Sequence, residues 1–294
     1  MTTRRKFIEK SSVLAMGTMI APLGCTTKPA SKEQTSMNTQ PSTPVKPKDM
    51  GMQAYSVREA LDKDFAGSMK KIADIGYKYI EAYGMGLDGK LFNMPPAEYK
   101  KIVNDLGMEL LSTHATYFTP DQAQAVIDAS SEAGLKYLVI PYLEEQYRQD
   151  YYKIAENLNA VGELFKNTGI KFCYHNHDFE FETVNDEVAL DVMIRETDPE
   201  LVSFEADLYW IKKGGYDPME YLKKFPGRFS LYHVKDAKPD LSQTTVGEGT
   251  LDFEALINAK DMVGMDYYFV EDERTDDPFG NLQKAFDHMN TLEI

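Results

Sequence analysis

Side chains that commonly bind metal ions follow four short apolar runs in the second half of the chain. These runs lead to His175 and His177, to Asp207, to His233 and to Glu271, roughly 30 residues apart. A buried strand has no structural need for such a side chain at its tip, because removing it from water is costly unless it is paired or ligated. Four such tips indicate several strand ends that converge on one cation.

Asp207, His233 and Glu271 are the predicted ligands from the last three runs. Taken singly, each has a plainer explanation: a helix N-cap, a satisfied core histidine and an exposed acidic turn. The fourth ligand is His175 or His177, and we favour His175, which leaves the other histidine for acid–base chemistry or for substrate contact. Because these residues occur together at four strand ends, we favour metal ligation over the plainer explanations.

Other polar and aromatic residues near strand ends are candidate contacts to a substrate. Lys235 shares a strand face with His233 and is placed to stabilise an enolate oxygen or to bind a substrate hydroxyl. Glu180 is also a weaker alternative metal ligand. Aromatic side chains at such positions can stack on a sugar ring, although many serve only in packing. The candidate substrate contacts are Tyr55, Glu81, His114, Glu180, Glu205 and Trp210.

Eight strand patterns alternate with helix patterns from residue 50 onward. The predicted strands are Met52–Tyr55, Tyr77–Ala82, Glu109–His114, Tyr137–Ile140, Lys171–His175, Leu201–Asp207, Phe229–Val234 and Tyr267–Glu271. Strands separated by helices imply a parallel sheet, and eight such units predict a (β/α)8 barrel, an α/β fold whose chemistry lies at the C-terminal strand ends. No G-x-G-x-x-G turn follows the first strand, which disfavours the alternative of a dinucleotide-binding open sheet.

The first 49 residues are predicted to be a targeting segment and a tether. Residues 1–25 contain the Arg4-Arg5 pair and the short apolar stretch Val13–Gly24, a pattern typical of a twin-arginine signal peptide. Cys25 lies in a sequence similar to a lipobox, although Pro22 departs from that pattern. Residues 26–49 form a polar linker. We therefore expect export to the periplasm or anchoring through a lipid on Cys25, and no disulfide with Cys173.

Charge excludes one class of partner. The net charge is −15, and because residues 1–49 carry +5, the predicted barrel of residues 50–294 carries about −20. Nucleic-acid binding depends on Lys and Arg that neutralise phosphates. The acidic barrel therefore argues against a nucleic-acid partner and against a DNA-repair endonuclease.

Five short segments together resemble the sugar phosphate isomerase/epimerase family of xylose isomerase-like TIM barrels. The resemblance covers roughly residues 50–294, and the order of the segments is specific for the superfamily and not for a substrate. The segments are Gln53–Glu59, His175–Phe181, Glu205–Trp210, His233–Asp236 and Val246–Gly249.

The resemblance implies a bound divalent metal ion, often Mn2+ or Mg2+, with ligands from strands five to eight. By position these ligands are His175, Asp207, His233 and Glu271. The better-known epimerases have Glu on strand five, and a pair of Glu residues exchanges the substrate proton. Because His175 replaces that Glu, we assign proton transfer here to His177 or Lys235 together with Glu271.

The predicted function is that of a metal-dependent isomerase or epimerase that removes a proton next to a sugar carbonyl. A lyase or hydrolase acting on a keto-sugar or a 3-keto-glycoside, and a non-catalytic sugar-binding lipoprotein, are the alternatives. Imidazole and carboxylate ligands also suit Zn2+ and Co2+. No P-loop is present, which favours an unphosphorylated sugar. A homodimer is compatible with such a barrel, but no pattern marks an interface.

Overall fold

Eight parallel strands close into a barrel in the computed structural model, which describes residues 49–294. Each strand pairs with its neighbours in chain order, and the last strand pairs with the first. The predicted (β/α)8 fold is thus confirmed. The predicted signal peptide and nearly all of the predicted linker lie outside the described residues. The barrel strands are β1 (Gly51–Gln53), β2 (Tyr79–Met85), β3 (Glu109–Ala115), β4 (Tyr137–Ile140), β5 (Lys171–His175), β6 (Ser203–Asp207), β7 (Phe229–Val234) and β8 (Tyr267–Val270).

Helices connect the strands and pack apolar residues against the barrel. They are α1 (Arg58–Lys63), α2 (Phe65–Ile75), α3 (Pro96–Asp105), α4 (Ala123–Ala133), α5 (Tyr151–Phe165), α6 (Ala189–Glu196), α7 (Leu208–Lys213), α8 (Pro218–Lys224), α9 (Phe253–Asn258), α10 (Lys260–Val263) and α11 (Pro278–Met289). None of the helices within residues 49–294 combines the length and the apolarity needed to cross a membrane.

Several predicted boundaries were wrong where local hydrogen bonds compete with the strand pattern. The first strand ends at Gln53 because its side chain accepts the backbone N–H of Tyr55 at 3.0 Å and starts a 3-10 turn, Ala54–Val57. The short helix α1 follows and was not predicted. The second strand begins two residues later than predicted and runs three residues further.

A glycine in the left-handed backbone conformation ends helix α2. Gly76 follows α2 with φ +119°, and its N–H donates to the carbonyl of Ile72. A Cβ at this position would lie 2.7 Å from the ring of Phe286, so both the backbone conformation and the close contact require glycine.

The lower barrel interior is apolar and the upper interior is polar. Cys173, Leu231 and Phe269 are buried in one cluster on β5, β7 and β8. Cys173 is a free, buried cysteine, as expected. Two residues further along the same strands come His175, His233 and Glu271. Because side chains two apart share a strand face, the apolar layer forms the floor beneath the polar one.

The Val246–Gly249 segment wraps around the carboxylate of Asp236, which follows β7. Asp236 is buried and accepts backbone N–H groups of Gly247 and Gly249 at 3.0 Å each, and of Thr250 and Leu251 at 3.1 and 3.2 Å. A Cβ on Gly249 would lie 2.2 Å from Asp236 Oδ1. The backbone donors of this loop are therefore occupied by an internal anion and not left for a substrate phosphate.

Replacing Asp236 should destabilise the fold through this loop. Asp236→Asn removes the charge and turns an amide group towards backbone donors, and hydrogen bonds to charged groups contribute about 1.5–3 kcal/mol each. We expect the free energy of unfolding in urea to fall by about 3 kcal/mol. Asp240→Asn is the control, because its exposed carboxylate bonds only to Ser242 and should leave the urea midpoint unchanged. Equal midpoints for the two variants would contradict this role.

Candidate metal centre

Strand alternation brings the four predicted ligands to one corner of the upper barrel. His175, Asp207 and His233 are the inward-facing residues at or near the ends of β5, β6 and β7, and Glu271 follows β8 directly. The register pairs Asp207 with His233 across β6 and β7. All four side chains are buried, with at most 4% of any one exposed.

The ligand atoms of Asp207, His233 and Glu271 lie within 4.8 Å of one another, close enough to share one ion. His233 Nδ1 is 2.9 Å from Glu271 Oε2 and 3.8 Å from Asp207 Oδ2. His175 Nε2 is 3.9 Å from Asp207 Oδ2. Ligands of one Zn2+ or Mn2+ ion are typically about 3–4 Å apart, given metal–ligand bonds of about 2.0–2.3 Å. The structure thus brings three of the predicted ligands together, with His175 beside Asp207. The ligand atoms of His175 also lie within 4.8 Å of those of His114, Glu205 and His233, which form a second group that could hold an ion.

A second pair of carboxylates lies beneath this corner and binds the far nitrogens of the two histidines. Glu205 Oε2 is 3.2 Å from His175 Nδ1, and Glu81 Oε2 is 2.6 Å from His233 Nε2. Carboxylates in this position fix the orientation and tautomer of metal-binding imidazoles. Because Glu81 and Glu205 are fully buried, the structure favours this orienting role over the substrate contact that we predicted.

The tautomer of His175 leaves its Nε2 lone pair opposite the carboxylate of Asp207. Burial lowers the pKa of His175 well below its usual value, so the ring is neutral and donates Nδ1–H to Glu205. Its Nε2 lone pair then faces Asp207. Burial raises the pKa of Asp207 to about 7, although Lys235 and His233 oppose that shift. A lone pair opposite a poorly compensated buried carboxylate is an arrangement that a cation would stabilise, so this donor set fits a divalent metal ion.

His114 lies between the two lower carboxylates. Its Nε2 is 3.1 Å from Glu205 and 3.3 Å from Glu81, and its ring stacks on His233 with centroids 5.3 Å apart. Burial alone would lower the pKa of His114, but the two carboxylates outweigh it and raise the pKa to about 9. His114 also lines the pocket above, so its predicted substrate contact and this ionic role are compatible.

Gln53 and Ser112 were missed by the sequence reasoning. Gln53 Nε2 donates to Glu81 at 2.9 Å, and Ser112 Oγ donates to the other oxygen of Glu81 at 2.6 Å. Amide and hydroxyl side chains inside strands carry no distinctive sequence signal. The imidazoles of His114 and His233 lower the pKa of Glu81 to about 2 against the effect of its burial.

Lys235 is fully buried and held by three carboxylates. Its Nζ is 2.5 Å from Glu273, 2.9 Å from Glu271 and 3.5 Å from Asp207. Burial would lower the pKa of Lys235, but these acids raise it, first among them Glu271. The side chain is therefore a fully buried cation, which argues against the proton-accepting role that we also considered. Because Lys235 does not line the pocket, the structure favours positioning of Glu271 over the contact to a substrate oxygen that we predicted.

His177 differs from His175 in being free of the carboxylates. Its Nδ1 is buried and has no hydrogen-bond partner within residues 49–294, and its ring lies 5.1 Å from that of Trp210. Burial and Lys235 lower the pKa of His177 to about 3, so the ring is neutral. Both His177 and Trp210 line the pocket. The two histidines thus differ in surroundings, since His175 is bonded to Glu205 and the His177 ring is not bonded to a carboxylate within the described residues.

Glu180 holds the segment that carries His177. Glu180 is fully buried, and its oxygens accept the hydroxyl of Tyr174 and, at 2.8 Å, the backbone N–H of His177. A substrate could reach this carboxylate only after these hydrogen bonds break. The structure therefore favours positioning of His177 over the substrate contact or metal ligation that we predicted for Glu180.

The pocket above the metal corner has a volume of about 720 Å3. Tyr55 and Trp210, the two aromatic residues predicted to contact substrate, are both in its wall. The structure adds aromatic residues that the sequence reasoning missed, since a tyrosine in a loop carries no signal of where that loop lies. These are Tyr83, Tyr117, Tyr142 and Tyr147.

Comparison with known proteins agrees with this barrel and its polar corner. The sequence profile of the family described as Xylose isomerase-like TIM barrel matches residues 69–292. The chain belongs to this family. The predicted resemblance to xylose isomerase-like barrels is thus confirmed.

Relatives of this xylose isomerase-like barrel include an inosose dehydratase from Geobacillus kaustophilus, 23% identical over 243 residues, which cover 68% of this chain and 76% of that protein. The alignments with other inosose dehydratases span about half of those proteins or less. A sugar phosphate isomerase/epimerase from Parabacteroides distasonis is 27% identical, with a TM-score of 0.73 over 81% of this chain and 92% of that one. The IOLI protein with a bound zinc atom is 18% identical and shares the fold, with a TM-score of 0.60 over 83% and 95% of the two chains.

Replacing Asp207 with Asn should abolish tight metal binding while keeping the fold. Asp207 Oδ1 accepts the backbone N–H of Trp210 at 2.9 Å as the N-cap of α7, and Asn can retain that bond. The lost charge should weaken Mn2+ or Zn2+ binding by at least about 100-fold in calorimetry. Asp217→Asn is the matched control, since Asp217 caps α8 in the same way. Equal metal affinity in the two variants would rule out Asp207 as a ligand.

The metal-free protein should lose stability as pH rises through the pKa of His114. The pKa of His114 is raised in the folded state, so its ion pairs stabilise fully below about 6.5, the ordinary pKa, and fade as pH passes about 9. We therefore compare the free energies of unfolding of the wild type and of His114→Gln by urea denaturation with a chelator present. The stability advantage of the wild type should decrease between pH about 6.5 and about 9. A difference that is constant or grows with pH would contradict a charged His114.

Proposed function

We propose that this protein is a divalent-metal-dependent isomerase or epimerase that acts on an unphosphorylated sugar by removing a proton next to a carbonyl. One observation carries the proposal: ligand atoms of Asp207, His233 and Glu271 lie within 4.8 Å of one another beside a large pocket, with His175 Nε2 at 3.9 Å from Asp207. Two imidazoles and two carboxylates suit Mn2+, Zn2+ or Co2+ and, less closely, Mg2+.

A divalent ion held by these residues supplies a Lewis acid that polarises a sugar carbonyl and acidifies the neighbouring C–H. His177 is the proton acceptor in this proposal, because its ring is neutral, lines the pocket and has an unpartnered Nδ1 within the described residues. Lys235 is a fully buried cation that does not line the pocket, and its Nζ holds the Glu271 carboxylate in place at 2.9 Å. Glu180 holds His177 in place through its backbone.

The charge of the pocket supports a neutral substrate. The acidic residues Glu144, Glu271 and Glu273 line the pocket, and no Lys or Arg of residues 49–294 does so. A phosphate group would be repelled by these carboxylates and would find the backbone donors of the Val246–Gly249 loop already bonded to Asp236.

A lyase acting on a keto-sugar is the second candidate, and the similarity to inosose dehydratase favours it. The same proton removal gives an enediolate, and expulsion of a hydroxyl from the next carbon then eliminates water. Reprotonation at another carbon instead gives an isomer, and reprotonation of the same carbon on its opposite face gives an epimer. The two reactions differ in product mass, because only the lyase loses water.

Metal content and solvent exchange on one sample test the proposal. We expect the purified protein to bind one divalent ion, measured by mass spectrometry. With Mn2+ in deuterated water, it should incorporate deuterium next to the carbonyl in at least one member of a panel of free sugars and keto-sugars. A chelator should abolish the exchange. A product of unchanged mass apart from deuterium indicates an isomerase or epimerase, and a product that has lost water indicates the lyase.

His177→Gln separates proton transfer from metal binding. This variant should still bind the metal ion. Its rate of deuterium exchange should fall at least about 100-fold, which is in the range typical for loss of a general base. A metal-loaded wild-type protein that binds sugars but catalyses no exchange would refute the enzyme and support the sugar-binding alternative.

A further inference from the structure

The pocket is larger than one sugar ring requires. Its volume of about 720 Å3 is more than twice the lower bound of about 300 Å3 for small-molecule pockets. The metal corner accounts for one side of it, where His175, His177 and Glu271 contribute to the wall.

The two halves of the pocket come from different halves of the barrel. β5 to β8 supply the predicted metal ligands, whereas residues that follow β1 to β4 supply an aromatic wall. Several of these side chains are unusually open for their size, with exposed fractions of 38% for Tyr55, 42% for Tyr142 and 39% for Tyr147. Exposed apolar surface gathered within one concave pocket is typical of a binding surface.

The rings of this wall are fixed in place by their neighbours. The ring centroids of Tyr117 and Tyr147 are 4.8 Å apart, and those of Tyr55 and Tyr83 are 5.2 Å apart in an edge-to-face pair. The guanidinium of Arg148 lies 4.8 Å from the ring centroid of Tyr142. Rings held in this way can bind a ligand face with little loss of side-chain entropy.

The remaining wall residues limit the chemistry of the occupant. Thr116, Gln122 and Gln146 are uncharged hydrogen-bonding residues, and Glu144 is acidic. Apart from His114 near the end of β3, this wall has no cationic side chain among residues 49–294. The occupant is therefore an uncharged ring with an apolar face and, where it is a sugar, hydroxyl groups at its edge.

We propose that Tyr83, Tyr117, Tyr142 and Tyr147 form a second subsite that binds the non-reacting ring of a neutral glycoside. This inference rests on the proposed function, in which the reacting sugar lies at the metal corner. The reacting ring then carries its carbonyl on a carbon other than the acetal carbon, because the acetal carbon of a glycoside has no carbonyl. The second ring is a sugar or an aryl group stacked on these tyrosines.

Calorimetry with matched one-ring and two-ring ligands tests the subsite. Methyl glycosides of glucose, galactose, mannose and xylose are compared with the phenyl glycosides and the disaccharides of the same sugars, on Mn2+-loaded protein. We expect at least one configuration in which a two-ring ligand binds at least tenfold more tightly than the methyl glycoside. Whether the phenyl or the disaccharide arm shows this advantage identifies the second ring. The proposal is overturned if no configuration shows it.

Variants outside the metal corner test whether the tyrosines cause the tighter binding of two-ring ligands. Tyr117→Ala and Tyr147→Ala should each reduce two-ring affinity at least tenfold and leave methyl-glycoside affinity unchanged. Tyr117→Phe, which keeps the ring, should retain the advantage. Tyr152→Ala is the control for loss of an exposed tyrosine, because Tyr152 bonds to Glu187 outside the pocket. An advantage that survives in the double alanine variant would also overturn the proposal.

The subsite and the reaction can fail separately. A two-ring preference without solvent exchange would keep the subsite and refute the enzyme. Exchange with free monosaccharides and no two-ring preference would keep the enzyme and refute the subsite.

Discussion

The burial of opposite charges inside the upper barrel is the constraint on which the rest of the structure depends. Glu81, Glu205 and Asp207 are fully buried, and each would be costly in isolation. The barrel compensates them with imidazoles, with the Lys235 ammonium and with neutral donors from Gln53 and Ser112. This compensation keeps the pKa values of Glu81 and Glu205 at about 2, although Glu205 Oε1 has no hydrogen-bond partner within residues 49–294. The pKa of Asp207 is raised to about 7, which is why the upper corner suits a cation.

The two layers of this network of imidazoles and carboxylates have different roles. The lower layer sets the tautomers of the two histidines, since Glu205 and Glu81 each take a nitrogen that points away from the pocket. The upper layer presents the remaining nitrogens with Asp207 and Glu271. The His114 imidazolium keeps the lower carboxylates ionised and in place, so it affects the metal corner without facing it.

Similar local chemistry is used for structure elsewhere in the barrel. Asp236 lies three residues after His233, yet its carboxylate is enclosed by backbone donors and takes no part in the pocket. Glu180 is likewise buried and bonded within its own segment. Acidic residues within a few positions of each other therefore have opposite roles, and their partners alone decide which role each one has.

The sequence by itself determined the barrel and the four residues at its metal corner. Eight alternating strand and helix patterns specify the fold, because a parallel strand needs a helical crossover, and period-two alternation places His175, Asp207, His233 and Glu271 on inward faces. Only the tertiary structure decided what each polar group faces. It alone showed that Glu81 and Glu205 orient imidazoles, that Lys235 is held as a cation, and that four loop tyrosines share one wall. The physical reason is that periodicity acts along one strand, whereas desolvation, ion pairing and stacking depend on residues that are distant in the chain.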